Sequence, residues 1–116
     1  MKKFILLSAF ILSGAAFGDT LTTEHYIVEI ERHCQEGSVT CDNVSYVGVS
    51  KISGNRIELN GKTLHSLCAD GVTPCRFQGY QFKNGNTTYK VFESGLLQII
   101  QNNEDVLVEE QGDWSY

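Results

Sequence analysis

The chain has 116 residues, 9 basic against 14 acidic side chains, a formal charge of −5, four cysteines and a single proline. That length suits one domain with a modest core. The negative balance excludes a surface built to hold nucleic acid or anionic lipid head groups.

Residues 1–18 read as an export signal. Lys2 and Lys3 supply the positive end, Phe4 to Leu12 the apolar stretch, and Ala16-Phe17-Gly18 the small residues read at cleavage. The apolar run is too short to span a bilayer. Leu12-Ser13-Gly14-Ala15 resembles a bacterial lipobox with alanine in place of the acylated cysteine, so no membrane anchor is expected. The mature protein is then a single β-domain over residues 19–116, periplasmic or secreted. Taking Lys2 and Lys3 from the 9 basic residues leaves 7 against 14 acidic ones, a charge of −7.

Strand signals follow one another after the leader. Tyr26, Val28 and Ile30 alternate with Ile27, Glu29 and Glu31, the pattern of a strand with one buried face. Val44, Tyr46 and Gly48 alternate with Ser45, Val47 and Val49 in the next. Arg56–Leu59 runs into Asn60-Gly61, the dipeptide that best tolerates the positive φ angles of a tight turn. A hairpin is expected there, with Thr63–Leu67 returning. Arg76–Lys83 ends at Asn84-Gly85, and Thr87–Phe92 ends at Glu93-Ser94-Gly95. Leu96–Gln101 and Val106–Glu110 flank Asn102-Asn103-Glu104. Leu96, Leu97, Ile99 and Ile100 alternate least and fit a doubly buried strand or a short helix; close bracketing by Gly95 and the asparagines favours the strand. About eight short strands with turn chemistry between them predict an all-β fold, a small antiparallel meander closed into a barrel or sandwich.

The cysteines fall in a repeated pattern. Cys34-Gln-Glu-Gly-Ser-Val-Thr-Cys41 is followed by Tyr46, and Cys68-Ala-Asp-Gly-Val-Thr-Pro-Cys75 by Tyr80. Three pairings are open. The local ones, Cys34–Cys41 and Cys68–Cys75, are expected, because each closes a short loop between adjacent strands with Gly37 or Gly71 free to turn left-handed. Crossed pairings would instead tie the two hairpins together. Zinc is the rival, with His33 beside Cys34 and His65 near Cys68, but metal-site thiols usually sit closer together and exported thiols oxidise. No metal and no cofactor are expected.

Catalysis needs a nucleophile, a base and an orienting group in one cleft. No serine sits in a nucleophile elbow and no histidine pair has zincin spacing. His25 and His33 would share a strand face with Glu29 and Glu31, which makes a weak metal or proton site or simply a solvated face. Glu109 and Glu110 are neighbours on a strand and point to opposite sides. No catalytic residue is assigned. The aromatic residues are numerous for so small a core: Tyr80 and Phe82 are expected on one face of their strand and Phe77 on the other. Trp114 and Tyr116 either cover a barrel end or offer a contact.

From Gln78 onward the chain resembles the membrane-bound and periplasmic inhibitors of C-type lysozyme. Gln78-Gly79-Tyr80-Gln81-Phe82 precedes Lys83-Asn84-Gly85, then Tyr89–Phe92 and the hairpin from Leu96 to Glu110. Gln78 stands where the family has serine, Lys90 is near but out of register with a family lysine, and the cysteine layout differs. The resemblance covers about a third of the mature chain. It implies an eight-stranded antiparallel barrel and a loop that enters the lysozyme cleft, with Gln78, Tyr80 and Lys90 as the segment to inspect.

The leading expectation is a non-enzymatic inhibitor of a cationic, envelope-attacking protein, either lysozyme or a toxin delivered by a rival bacterium. The stapled loops would make the contact, with Glu36, Gly37, Asp70 and Gly71 at their tips. A small-ligand carrier using the barrel interior and a structural envelope component are the alternatives.

Overall fold

The computed structural model describes residues 18–116. The export-signal reading lies outside the described residues, except for its last position, Gly18. Nine strands form one antiparallel sheet: β1 (Asp19–Thr22), β2 (Tyr26–Arg32), β3 (Val44–Ser50), β4 (Arg56–Leu67), β5 (Pro74–Asn84), β6 (Thr87–Phe92), β7 (Leu96–Gln101), β8 (Asp105–Gln111) and β9 (Asp113–Ser115). Their order is β8-β7-β6-β5-β4-β3-β2-β1-β9, a meander curled into a nearly closed barrel. The all-β expectation holds, and the Leu96–Gln101 stretch is a strand.

Alternation decides which side chains fill the interior. Val28 and Ile30 of β2, Val44 and Tyr46 of β3, Phe82 of β5, Val91 of β6 and Leu97 of β7 are each almost fully buried, while Glu29 and Lys83 face out. Tyr46 is the hub: its ring centroid lies 5.1 Å from Phe82 and 5.4 Å from Tyr89. Gly37 and Gly71 are left-handed (φ 92° and 76°), as are Asn102 and Asn103 in the β7–β8 turn. Asparagine tolerates that region better than most residues.

Three sequence expectations are corrected. Asn60-Gly61 does not turn; it lies inside β4, a continuous 12-residue strand. A Cβ on Gly61 would stand 2.1 Å from the Gln81 carbonyl oxygen and 2.5 Å from a Phe82 ring carbon, so the glycine serves close approach rather than a turn. The hairpin turn comes earlier, between Ser50 and Arg56, where Gly54 takes φ 77°. Phe77 shares a face with Tyr80, at 5.3 Å between ring centroids, because a bulge at Gln78 resets the alternation. Two short strands, β1 and β9, join the eight expected segments, two of which merge into β4.

Closure depends on those short strands. β8 pairs with β7, and beyond Gly112 the same chain direction continues as β9, which pairs with β1. Trp114 packs on the core and its Nε1 donates to the Glu93 carbonyl at 2.9 Å, whereas Tyr116 is 90% exposed. A polar seam reinforces the join. Glu110 Oε1 accepts from the Thr23 hydroxyl (2.7 Å) and the His25 backbone N–H (3.1 Å). Its Oε2 lies 2.6 Å from His25 Nδ1, which donates because a carboxylate only accepts. Lys51 Nζ donates to the Thr23 carbonyl at 2.7 Å and pins the same turn.

The Glu110 hydrogen bond raises the His25 pKa above 6.5. Burial pushes Glu110 upward, but the hydrogen bonds from His25 and Thr23 outweigh it and leave its pKa below 4.5. A raised histidine stabilises the fold below its unfolded pKa and loses that contribution as pH climbs through the folded value. A lowered carboxylate contributes above its unfolded pKa and loses it as pH falls. The seam is therefore strongest between pH 4.5 and 6.5. In urea melts, the stability gap between the native protein and Glu110→Gln should peak in that window; a flat gap from about pH 3 to 8 would mean the pair does not hold the seam. Separately, Gly61→Ala should cost about 2–4 kcal/mol by overpacking. Gly37→Ala, with open space but φ 92°, should cost about 1–2 kcal/mol. A native unfolding midpoint for Gly61→Ala would contradict its place against β5.

Candidate functional site

β2, β4 and β6 run in one direction and β3, β5 and β7 in the other, so the loops after β2, β4 and β6 leave the same end of the barrel. Two of these are the cross-linked loops. Cys34 is bonded to Cys41 and Cys68 to Cys75, the local pairing. No cluster of metal-ligating side chains occurs among the described residues. Since β2–β3 and β4–β5 are neighbouring hairpins, the two stapled loops stand side by side.

The first loop is docked on the sheet. Cys41 is 1% exposed; its N–H donates to the Thr63 hydroxyl at 3.0 Å, and the Thr63 N–H returns a bond to its carbonyl at 2.7 Å. Thr63 Oγ1 also hydrogen-bonds His65 Nε2 at 3.0 Å, and the His65 ring meets the edge of Phe77. The second loop is braced from within. Asp70 Oδ1 accepts from the backbone N–H of Val72 and of Thr73, each at 2.9 Å, and its Oδ2 from the Thr73 hydroxyl. Those bonds, the Thr73 hydroxyl first, hold the Asp70 carboxyl down to a pKa of about 2.

Rigid loops present what they cannot bury. Val39 is 69% exposed, Val72 77% and Leu67 59%, all at the stapled end. A cleft of about 370 Å³ runs between Thr40–Asp42 of the first loop and Leu67 and Pro74 at the base of the second, floored by Lys62 to His65. It adjoins a second depression of about 390 Å³ that shares Asp42, Lys62 and Gln81 and adds Asn60, Gly61 and Lys83. At this end the guanidinium of Arg32, an exposed residue at the end of β2, lies 4.9 Å from the Phe77 ring centroid and 5.6 Å from that of Tyr80.

The residues singled out in the sequence divide accordingly. Glu36, Gly37, Asp70 and Gly71 are exposed at the loop tips, but the Asp70 carboxylate is engaged by its own loop. Gln78 is the exposed bulge residue, and its carbonyl accepts from Glu93 N–H at 2.8 Å. Tyr80 is 6% exposed in the core, so its ring is not a contact surface. Lys90 lies on β6 opposite Gln81, in one cross-strand row with Lys62. His25 bonds Glu110 and His33 bonds Ser45, so the two histidines serve different partners and neither bonds Glu29 or Glu31. The exposed Val39, Leu67 and Val72 were not singled out in the sequence; the signal available was an apolar residue inside or beside each Cys-to-Cys loop.

Comparison with family models, curated proteins and solved structures gave no match. The site therefore rests on its own geometry. The Asp70 brace contributes above the unfolded carboxyl pKa and is lost as pH falls through about 2. Asp70→Ala should speed amide exchange at Val72 and Thr73 by about tenfold or more while the global unfolding midpoint stays in place. Unchanged exchange at both amides would show that the disulfide alone shapes the loop.

Proposed function

We propose that this protein is a non-enzymatic binding protein of the periplasm or extracellular space that inhibits a cationic hydrolase attacking the cell envelope. The observation that carries the reading is the pair of solvent-facing valines, Val39 and Val72, on two covalently closed, adjacent loops, with the exposed Leu67 beside the second. Apolar side chains held out of the core on rigid supports favour a protein partner, because little ordering entropy is lost when they are buried. A chain with more acidic than basic residues speeds its encounter with a positively charged target. Local disulfides agree with an oxidising compartment. The resemblance of the segment from Gln78 onward to inhibitors of C-type lysozyme makes lysozyme the first target to try, and a delivered toxin the second.

The test uses the oxidised mature protein, immobilised and exposed to lysozyme-containing and periplasmic extracts. We expect a cationic hydrolase to be retained at physiological salt and its lytic activity to fall on addition of free protein. Val39→Asp combined with Val72→Asp should weaken that binding by about a hundredfold without shifting the unfolding midpoint. Raising salt should slow association more than it speeds dissociation. Retention of no hydrolase, or binding indifferent to the double substitution, would reject inhibition through this end.

A further inference from the structure

The barrel is filled unevenly along its axis. At the stapled end Tyr80 is buried in the core, with Phe77 packed against it and the exposed Arg32 lying over both rings. Toward the other end, β3 turns inward Tyr46, then Gly48 and Ser50, so only small residues follow the tyrosine. Gly48 faces Val28 on one side and Ile57 on the other. A pocket of about 280 Å³ opens there, walled by Tyr26, Ile57, Tyr89 and Ile99 and reaching Tyr46 and Gly48.

The tyrosine hydroxyl at the pocket floor is the informative group. Tyr46 is 1% exposed, and a Cβ on Gly48 would stand 2.7 Å from its Oη, so the missing side chain of Gly48 leaves the phenol its room. That hydroxyl bonds no protein group among the described residues and opens onto the pocket rather than being sealed from solvent. Burial first, then the neighbouring Tyr89 and Tyr26 phenols, raise its pKa well above 10.0, so it stays a neutral donor. A ligand atom bonding to it replaces pocket water at a donor set among apolar walls.

The mouth carries no unspent charge. Arg56 Nε and Nη2 both donate to Glu58 Oε2, at 3.0 and 2.8 Å. Ser50 Oγ accepts from the N–H groups of Ile52 and Ser53 and is committed to the turn. Three tyrosine rings and two isoleucines, with the Tyr46 hydroxyl at the floor and the neutral Ser53 and Asn55 at the rim, select a flat, uncharged molecule with a polar atom at its inner edge. Size agrees: an apolar cavity of about 150 Å³ takes benzene, and this pocket of about 280 Å³ exceeds that.

We propose that this mouth binds a small uncharged aromatic molecule, of the size of a phenol or an indole, with its polar atom on the Tyr46 hydroxyl. The site lies at the opposite end from the stapled loops and stands independently of the inhibitor reading.

The test is an NMR titration of the oxidised protein with p-cresol and with toluene, which differ only by the hydroxyl. Both should shift the amides of Gly48, Ile57 and Ile99, with p-cresol binding about tenfold tighter. Tyr46→Phe should remove that preference by weakening p-cresol alone. Ser53→Trp, at the exposed rim, should block both ligands and covers the case in which Tyr46→Phe does not fold. Absence of saturable shifts, shifts confined to the stapled loops, a p-cresol preference kept by Tyr46→Phe, or affinity unchanged by Ser53→Trp would each overturn the proposal.

Discussion

One glycine lets a single stretch of chain serve two neighbours. At Gly112 the last long strand stops pairing with β7 and goes on to pair with β1, and a Cβ there would stand 2.3 Å from the Thr22 carbonyl oxygen. Its N–H donates to the Gly95 carbonyl at 2.8 Å, so three segments meet where no side chain fits. Without this crossing the meander is an open sheet with two long edges, a poor arrangement for a domain of this size. The Glu110 seam acts one turn of chain earlier and fixes the approach of the β1–β2 turn.

Because β1 is only four residues long, closure is incomplete. Among the described residues β8 has β7 as its only strand neighbour, and Val106 and Leu107 on it are about half exposed. Three features guard that edge against pairing with another chain: Asp105, Glu109 and a register shift opposite Ile99 and Ile100. An acidic, bulged edge is a common way for β proteins to stay unpaired, and it argues against assembly through this strand.

The closed framework separates the molecule into two ends with different character. Cross-strand packing of Tyr46, Phe82 and Tyr89 makes the middle rigid. The stapled loops above it need no core of their own, since each is closed covalently and one is docked through Thr63. That releases Val39 and Val72 to face solvent. Below Tyr46 the small inward residues of β3 leave the interior open, and the same phenol that anchors the core becomes the floor of a pocket.

Much of the fold was legible along the chain. Tyr26, Val28 and Ile30 announce β2, the bounds Thr87–Phe92 and Leu96–Gln101 are those observed, and the Cys-to-Cys spacing yields the local disulfides. These are short-range facts: alternation and loop closure involve residues close in sequence, where the chain itself limits the geometry. The errors came where one residue type answers two different needs. Gly61 closes a turn-type dipeptide in the sequence but is a point of close approach between β4 and β5, which only the facing Gln81 and Phe82 decide. Phe77 and Tyr80 were separated by parity until a bulge, set by how β5 meets β4, put them on one face. β1 and β9 are too short to show alternation and exist because the barrel must close. The neighbourhood of Glu110 and His25, the exposed valines and the pocket on the Tyr46 hydroxyl all depend on contacts between residues far apart in the chain, and those are chosen by packing rather than by local sequence.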